Sequence, residues 1–201
     1  NSNPALDRHL NETQTYYPVG RDGAELDLAR AVHKHLVKNL EIKPASLRAG
    51  NFYVLRNAPV TAVLGEPSML SHPGVEAKLS EARYQELEAQ AYFLGLLEYF
   101  AGGNPGWEAP PPGAARLGDP LVWRFVPDPL RPESAPGLDP DSVVLMVDDE
   151  PVDLEVDPAG RVTWRPTVRQ PSGPRPYELT GRNTSGRATM PAEGILELPP
   201  R

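Results

Sequence analysis

Apolar side chains recur at helical spacing in two segments of the first hundred residues. The steps are three and four residues, which places these side chains on one face of a helix. The first stripe consists of Leu26, Ala29, Val32, Leu36 and Leu40, with Asp22 as the candidate cap. The second consists of Tyr84, Leu87, Ala91, Leu94 and Tyr99. Gly95 interrupts the second helix, and we expect it to allow close packing against a neighbour.

Three short runs in the same half predict β-strands. The run TQTYYPVG (13–20) is rich in Thr and Tyr, and a second run covers Phe52 to Leu55. The third run, VTAVLG (60–65), is apolar without alternation, as in a strand covered on both faces, and Glu66 follows it directly. Strands mixed with helices in this order predict an α/β domain with an open, mostly parallel sheet and flanking helices.

The pattern changes in the second half of the chain, where short runs predict an all-β unit. In the run VDLEV, Val152, Leu154 and Val156 alternate with acidic residues, so one face of that strand is expected to be dry. Turn signals such as DDEP and NTSG separate the runs, and this spacing is typical of a β-sandwich. The predicted strands are 121–125, 143–147, 152–156, 161–165, 176–181 and 193–198.

Proline-rich sequence separates the two patterns. The segment 104–120 reads NPGWEAPPPGAARLGDP, a composition typical of a semi-rigid linker. We therefore predict an α/β domain at 1–103, a linker at 104–117 and a β-sandwich at 118–201.

Composition and charge narrow the function classes. The net charge of −7 disfavours nucleic-acid binding, which needs a cationic surface. The sequence has no run of 18 apolar residues, so no transmembrane segment is predicted. Without cysteine there is no disulfide and no thiolate metal site, which fits an exported bacterial protein. The chain begins at Asn1 without a visible signal peptide, so we expect a mature or truncated product.

Three segments share the motif order of one hydrolase family. The first, NSNPALDRHLNETQTYYPVGRDGAELDLARAVHKHL, matches at Asn1, Thr15-Tyr16-Tyr17 and Leu28-Ala29-Arg30-Ala31-Val32. The second, FYVLRNAPVTAVLGEPSMLSHPGVEAKL, has a strand that ends in Leu64-Gly65-Glu66, and the third is YQELEAQAYFLGLLEYF. Together, over about residues 1 to 101, they resemble the C-terminal part of the catalytic domain of the type 3 (AmiC-like) zinc-dependent N-acetylmuramoyl-L-alanine amidases.

The chain departs from that family pattern at a few positions. Gly65 replaces the usual Val, and Pro67-Ser68-Met69 replaces a small residue followed by Gly and Phe. His72 replaces Asn, and Glu88 lies where the closing helix usually has an apolar residue.

The resemblance implies a role for Glu66. In this family the corresponding Glu is the general base beside a zinc-bound water, whose pKa the metal lowers to about 7. It takes the proton of that water and then protonates the leaving amine, so the amide between N-acetylmuramic acid and L-alanine in peptidoglycan is cleaved. The alternative for Glu66 is an exposed carboxylate at the start of a loop. His72 and Arg56 are further candidates, both for the substrate cleft.

The resemblance also implies that the zinc ligands lie upstream of Asn1, so we expect no metal ligand within this chain. His33 and His35 are two residues apart on a helix and point in different directions. Asp148-Asp149-Glu150 is better explained as a β-turn. Because two or three strands leave an apolar sheet edge exposed, we expect an N-terminal segment of the same protein to dock on this chain by strand pairing.

The second half resembles bacterial immunoglobulin-like modules. The resemblance rests on DSVVLMVDDEPVDLEVDPAGRVTWRP and on the run from Gly173 to Tyr177. We expect Trp164 in the core, the alternative being a platform on which a carbohydrate stacks. Such modules usually space or anchor a catalytic unit.

Two functions remain open at this point. The first is a zinc-dependent amidase of the bacterial cell envelope, secreted to the periplasm or cell wall and inactive without its upstream part. The second is a catalytically inactive, amidase-like envelope protein that serves as a wall-binding or interaction subunit. A zinc carboxypeptidase would share the metal chemistry of the first and differ in its products.

Overall fold

The computed structural model describes residues 8–111, 113, 118–128, 135–167 and 172–198. The chain divides into two compact units, Asn1–Ala101 and Gly102–Arg201. Asn1 lies outside the described residues, as do positions 112 and 114–117 of the expected linker. No helix in the described part is both long and apolar enough to cross a membrane.

A three-stranded sheet with helices forms the first unit. The strand order is β2-β1-β3; β1 and β2 are parallel, whereas β3 is antiparallel to β1. The mixed α/β fold predicted for this unit is confirmed, with one antiparallel pair in place of a parallel one. In chain order the elements are β1 (Thr13–Pro18), α1 (Ala24–Leu40), β2 (Ala45–Gly50), α2 (Tyr53–Arg56), β3 (Leu64–Glu66), α3 (Pro73–Leu79) and α4 (Ala82–Ala101).

Two strand predictions in this unit are wrong. The run from Phe52 to Leu55 forms the short helix α2, and the Phe52 ring packs edge-on against Tyr16 with their centroids 4.8 Å apart. A short apolar run does not distinguish a buried strand from a helix turn. The third strand begins at Leu64 instead of residue 60. The partner of β1 is β2, whose small residues gave no strand signal.

Gly95 brings α1 and α4 together, as expected from its place in the helix. A Cβ at Gly95 would lie 2.6 Å from the Cα of Val32, closer than real side chains approach a backbone. Ala91 and Tyr99, one turn to either side, are buried in the same apolar cluster as Val32. At the other end of α1, Asp22 is not the cap: the N-cap is Gly23, with no side-chain hydrogen bond.

A second face of α4 is apolar and exposed. Its members recur at steps of three and four residues and are 41–60% exposed. We refer to them as the α4 stripe, which consists of Phe93, Leu96, Leu97 and Phe100.

Two antiparallel sheets form the described part of the second unit, in the orders β11-β10-β6-β7 and β4-β5-β9-β8. Side chains from both sheets meet in one buried cluster that includes Trp123 and Trp164, so the core prediction for Trp164 is confirmed. The strands are β4 (Gly106–Glu108), β5 (Leu121–Val126), β6 (Leu138–Val147), β7 (Glu150–Pro151), β8 (Glu155–Val156), β9 (Arg161–Trp164), β10 (Gly173–Asn183) and β11 (Ala192–Leu198).

Local signals in this unit agree with the structure at most positions. Asp148 and Asp149 form the predicted turn between β6 and β7, both with positive φ, as a tight two-residue hairpin requires. Val152 and Leu154 face the core as predicted, although the ladder of β8 covers only Glu155–Val156. The linker prediction is wrong at Gly106–Glu108, which pairs with β5 because Trp107 packs against the core.

Candidate functional site

Glu66 is the last residue of β3 and is half-buried. It pairs with Gln14 of β1, whose other neighbour is Ser46 of β2. Paired residues of adjacent strands share a face of the sheet, so the side chains of Glu66, Gln14 and Ser46 lie on one face. This polar face also carries Tyr16 and Arg48, which form the pair two residues further along the strands.

The centre of the polar face is a satisfied hydrogen-bond network around Glu12. Its carboxylate accepts hydrogen bonds from Ser46 Oγ at 2.7 Å, Gln14 Nε2 at 2.8 Å and Arg48 Nη2 at 3.3 Å. The Ser46 hydrogen bond is the largest cause that lowers the pKa of Glu12. Glu12 is therefore an ionised, fully engaged structural acid, which leaves Glu66 as the more accessible carboxylate of this face.

Tyr16 places a neutral hydroxyl beside Glu66. The hydroxyl donates a hydrogen bond to Gln14 Oε1 at 2.7 Å. Burial first, and then the charge of Glu66, raise the pKa of Tyr16 above its usual value. The phenol therefore remains protonated at neutral pH next to the candidate base.

Each of the three residues after Glu66 is hydrogen-bonded to a different element. We call residues 66–69 the Glu66 turn. The bonds run from Thr13 Oγ1 to the Pro67 carbonyl (2.8 Å), from Ser68 Oγ to Glu88 Oε1 (3.0 Å) and from Met69 N to Asn11 Oδ1 (3.0 Å). The backbone that carries Glu66 is thus fixed to β1, to α4 and to the segment before β1.

Gly65 makes room for Tyr92 on the opposite face of the sheet. A Cβ at Gly65 would clash with the Tyr92 hydroxyl, so only glycine allows the ring to reach the strand here. Burial, together with the charges of Glu88 and Glu66, raises the pKa of Tyr92 to about 12. Sequence reasoning missed Tyr92, although an isolated glycine in a strand is a signal of close approach by another group.

His72 lies on the same loop as Glu66, at the N-cap of α3. Its Nδ1 accepts a hydrogen bond from Gly74 N at 3.1 Å, and its ring stands edge-on to His9 with the centroids 6.1 Å apart. The structure therefore brings together two histidines, from the loop before β1 and the loop after β3.

Arg56 is placed away from Glu66. Its Nη1 donates to the carbonyl and side-chain oxygens of Asn51, at 3.1 and 2.8 Å. Asn51 follows Gly50, which pairs with Pro18 at one end of β1, whereas Glu66 pairs with Gln14 at the other end. The structure does not bring Arg56 and Glu66 together.

The described residues do not build a metal site by themselves, since no three His, Cys, Asp or Glu side chains among them are placed to share an ion. His33 Nδ1 lies 3.0 Å from Thr15 Oγ1, and burial lowers the pKa of His33. His35 Nε2 lies 2.8 Å from Glu98 Oε2. Both histidines have structural partners on different elements, and these residues do not fit a zinc ion.

Comparison with known proteins gives the family of the first unit. Residues 4–98 match the family model described as N-acetylmuramoyl-L-alanine amidase (Amidase_3). The N-acetylmuramoyl-L-alanine amidase LytC of Bacillus subtilis (strain 168) is 28% identical over 91 residues, which are 45% of this chain and 18% of LytC. The putative N-acetylmuramoyl-L-alanine amidase YrvJ of the same organism is 36% identical over 74 residues, which are 37% of this chain and 14% of YrvJ.

A solved structure also matches. It is the catalytic domain of CwlV, an N-acetylmuramoyl-L-alanine amidase from Bacillus (Paenibacillus) polymyxa var. colistinus. It is 31% identical, with a TM-score of 0.44, and the match covers 50% of this chain and 54% of that one. The chain thus spans less than a fifth of the curated relatives and about half of this solved domain. The comparisons therefore assign the first unit, through residues 4–98, to the N-acetylmuramoyl-L-alanine amidase family.

Proposed function

We propose that this chain supplies the general base of a peptidoglycan amidase, and that Glu66 is this base. The bond cleaved is the amide between N-acetylmuramic acid and L-alanine. Family membership supports the reaction class. The observation that carries the role of Glu66 is its position at the end of β3, half-buried on a polar face and followed by a turn held by three hydrogen bonds.

The surroundings of Glu66 suit proton transfer. A general base must keep one orientation while its carboxylate exchanges a proton with water and then with the leaving nitrogen. Thr13 binds the Pro67 carbonyl and Glu88 binds the Ser68 side chain, which holds the turn after Glu66. Tyr16 offers a neutral hydroxyl on the same face as Glu66. Glu66 would accept the proton of the attacking water and return it to the amine of L-alanine as the amide bond breaks.

The zinc ion implied by the family would be held by residues upstream of Asn1, as the resemblance implies; among the described residues, no three candidate ligands are placed to share an ion. When bound, such an ion activates water and polarises the amide carbonyl. We therefore expect this chain to have no activity by itself.

An N-terminal segment of the same protein would complete the fold. Within the described part of the chain, β3 pairs only with β1 and has a second edge. The α4 stripe exposes four large apolar side chains, including Phe93 at 60% and Phe100 at 52%. A strand and helices supplied upstream would pair with the edge of β3 and cover this stripe, since exposed strand edges and apolar faces are usually covered in finished folds.

The second unit would act as an immunoglobulin-like module that spaces or anchors the catalytic unit at the cell wall. Its two antiparallel sheets around one core support this architecture. The curated relatives include a protein named as a cell wall amidase of Bacillus anthracis, 29% identical over 73 residues. We accordingly place this protein in the bacterial cell envelope or among secreted proteins.

The test is a comparison of Glu66→Gln with Glu76→Gln in the intact protein with zinc present. Glu76 is exposed on α3, so its substitution controls for the loss of one surface charge. Glu66→Gln should lower the release of peptides from purified peptidoglycan by about 10²- to 10⁴-fold, the usual contribution of a general base, while Glu76→Gln should not. Circular dichroism checks that both variants fold.

Three outcomes would contradict the proposal. Undiminished release by Glu66→Gln would remove Glu66 from the chemistry. Products with trimmed stem peptides, instead of free amino ends on L-alanine, would indicate a carboxypeptidase. Wall binding without any release by the zinc-loaded parent protein would indicate the inactive, wall-binding alternative.

A further inference from the structure

A cavity of about 80 Å³ lies beside the Glu66 turn. Ser68 and Asn11, which belong to the hydrogen bonds that hold this turn, form part of its wall. The rest comes from the end of α1, from α3 and from the first turns of α4. The cavity is thus built at the same end of the sheet as the candidate base, on the face that α1 and α4 cover and that lies opposite to the Glu66 side chain.

The wall of this cavity combines apolar surface with one group of each charge. Val75 and Leu87 are among its apolar members. Glu88 contributes a carboxylate, one of whose oxygens accepts the Ser68 hydroxyl at 3.0 Å. Lys78 contributes an ammonium group, held 5.4 Å from the centre of the Tyr84 ring.

These features select a specific ligand chemistry. An apolar wall suits a short aliphatic chain, whereas the opposite charges of Glu88 and Lys78 suit a group that carries both an ammonium and a carboxylate. A carboxylate offers about four acceptor positions, and the Ser68 hydroxyl occupies one of those on Glu88. Glu88 therefore retains capacity to accept hydrogen bonds from a bound ammonium group.

We propose that this cavity binds the side-chain end of a diamino-dicarboxylic acid, such as the diaminopimelate residue of a wall peptide. Glu88 would bind its ammonium group and Lys78 its carboxylate. This proposal rests on the proposed function, since it names the class of peptide stem that the amidase would prefer. A stem with lysine at this position lacks the carboxylate and would leave Lys78 without its ligand contact.

Size and reach agree with this assignment. A water molecule occupies about 30 Å³, so the cavity has room for roughly three waters or the last few atoms of a side chain. Ser68 follows Glu66 by two residues, a span of at most about 7 Å of extended chain. In this stem the γ-linkage of the glutamate adds two carbons, so the third residue begins roughly 10 Å from the first. A stem whose first amide lies at Glu66 would therefore be long enough to pass round the end of the sheet and bring its third residue to the cavity.

The test is a binding titration followed by amide chemical shifts, on the full chain carrying Glu66→Gln and without zinc. The probes are the tripeptide L-alanyl-γ-D-glutamyl-diaminopimelate and the same peptide with L-lysine in third place. Lys78→Met should weaken the diaminopimelate peptide at least fivefold and leave the lysine peptide within twofold. Glu88→Gln should weaken both peptides about tenfold. Lys38→Met and Glu86→Gln, on the exposed faces of α1 and α4, are the matched controls.

The readout separates this proposal from the proposed function, because it needs neither metal nor turnover. Equal affinity for the two peptides, or shifts that map away from Ser68 and Leu87, would overturn the cavity as a subsite. Either result would leave the hydrolytic role of Glu66 standing. If Glu88→Gln does not fold, Lys78→Met decides the matter, since Lys78 is an exposed side chain. Binding as expected with no hydrolysis by the intact protein would keep the subsite and remove the enzyme.

Discussion

The two units of this chain are nearly equal in length and treat their apolar side chains differently. Among the described residues, fifteen large hydrophobic side chains are exposed, and twelve of them lie in the first unit. In the second unit, Trp123 and Leu145 are completely buried between the two sheets. The second unit closes its own core, whereas the first presents apolar surface that a finished fold usually covers.

The helix α4 shows how this difference arises. Ala91 and Tyr99 bury one side of it against α1, and the α4 stripe leaves another side apolar and exposed. A helix that is apolar on two sides is typical of one packed between two layers. Whether each apolar face has a packing partner therefore distinguishes the two units better than their composition does.

The largest effect is expected from the closed core. Trp164→Ala removes a side chain that is 3% exposed and should lower the free energy of unfolding of the second unit by about 3–5 kcal/mol. The transition of the first unit should stay unchanged. Urea unfolding checks both, with Ile195→Ala, an exposed position in β11, as the control expected to change little. An equal loss in both units would contradict two separate cores.

The second-largest loss of stability is expected where α1 and α4 pack together in the first unit. Gly95→Ala places a Cβ against the backbone of Val32 and should destabilise the first unit by about 1–3 kcal/mol. Gln90→Ala, on the exposed face of α4, is the matched control and should be neutral or slightly stabilising. A stabilised Gly95→Ala variant would mean that α1 and α4 separate easily.

Acid should lower the stability of the first unit more than that of the second, because of His33. Its folded-state pKa is lowered by burial, so the unfolded chain binds the proton more readily. The stabilisation is therefore present above the unfolded pKa of about 6.5 and is lost as pH falls through the lower, folded value. Thermal unfolding at pH 7 and pH 5 measures this loss, and His33→Gln should reduce it.

Alkali should also destabilise the first unit, in this case through Tyr92. Its pKa is raised to about 12, above the usual value of 10.0. The stabilisation is complete below pH 10 and is lost as pH rises toward 12, because the unfolded chain ionises first. Tyr92→Phe should remove this component of the alkaline transition. The same alkaline midpoint in Tyr92→Phe would show that the phenol does not contribute.

The smallest effect on stability is expected at the α4 stripe. Leu97→Glu changes a half-exposed side chain and should alter the free energy of unfolding by less than about 0.5 kcal/mol. We expect the exposed α4 stripe to promote self-association of the chain, and Leu97→Glu should reduce this self-association, which sedimentation velocity measures. Glu86→Leu, on the same helix, is the reciprocal control. A large loss of stability in Leu97→Glu would show that this side chain is already packed.

The sequence predicts the second unit better than the first for a physical reason. Val152 and Leu154 face the core, as their alternation predicts. The strands of a hairpin are also close in sequence, so local patterns indicate how they pair. In contrast, Ala45–Gly50 becomes a strand through pairing with β1, more than thirty residues earlier, and its own residues give no sign of it. The run from Phe52 to Leu55 predicts a strand but forms a helix turn, because a four-residue apolar run has no distinguishing period.

The candidate site likewise contains one residue that the sequence predicts and several supporting residues that it does not. The sequence predicts Glu66 directly after a strand, and in the structure Glu66 is the last residue of that strand, β3. Its supports come from far along the chain: Glu88 reaches Ser68 from α4, and Tyr92 reaches Gly65. Only Gly65 gave a local signal of such an approach. Contacts between distant elements depend on tertiary packing, which the pattern of a single segment does not contain.

The close backbone approach at Gly95 has a mechanical consequence. With no side chain between them at this point, the backbones of α1 and α4 are in close contact, so we expect the two helices to move together. His33 joins that body to β1 through Thr15, and Glu88 joins it to the Glu66 turn through Ser68. The position of the Glu66 carboxylate is therefore coupled to both helices: a shift of Glu66 along the sheet would require α1 and α4 to move with it.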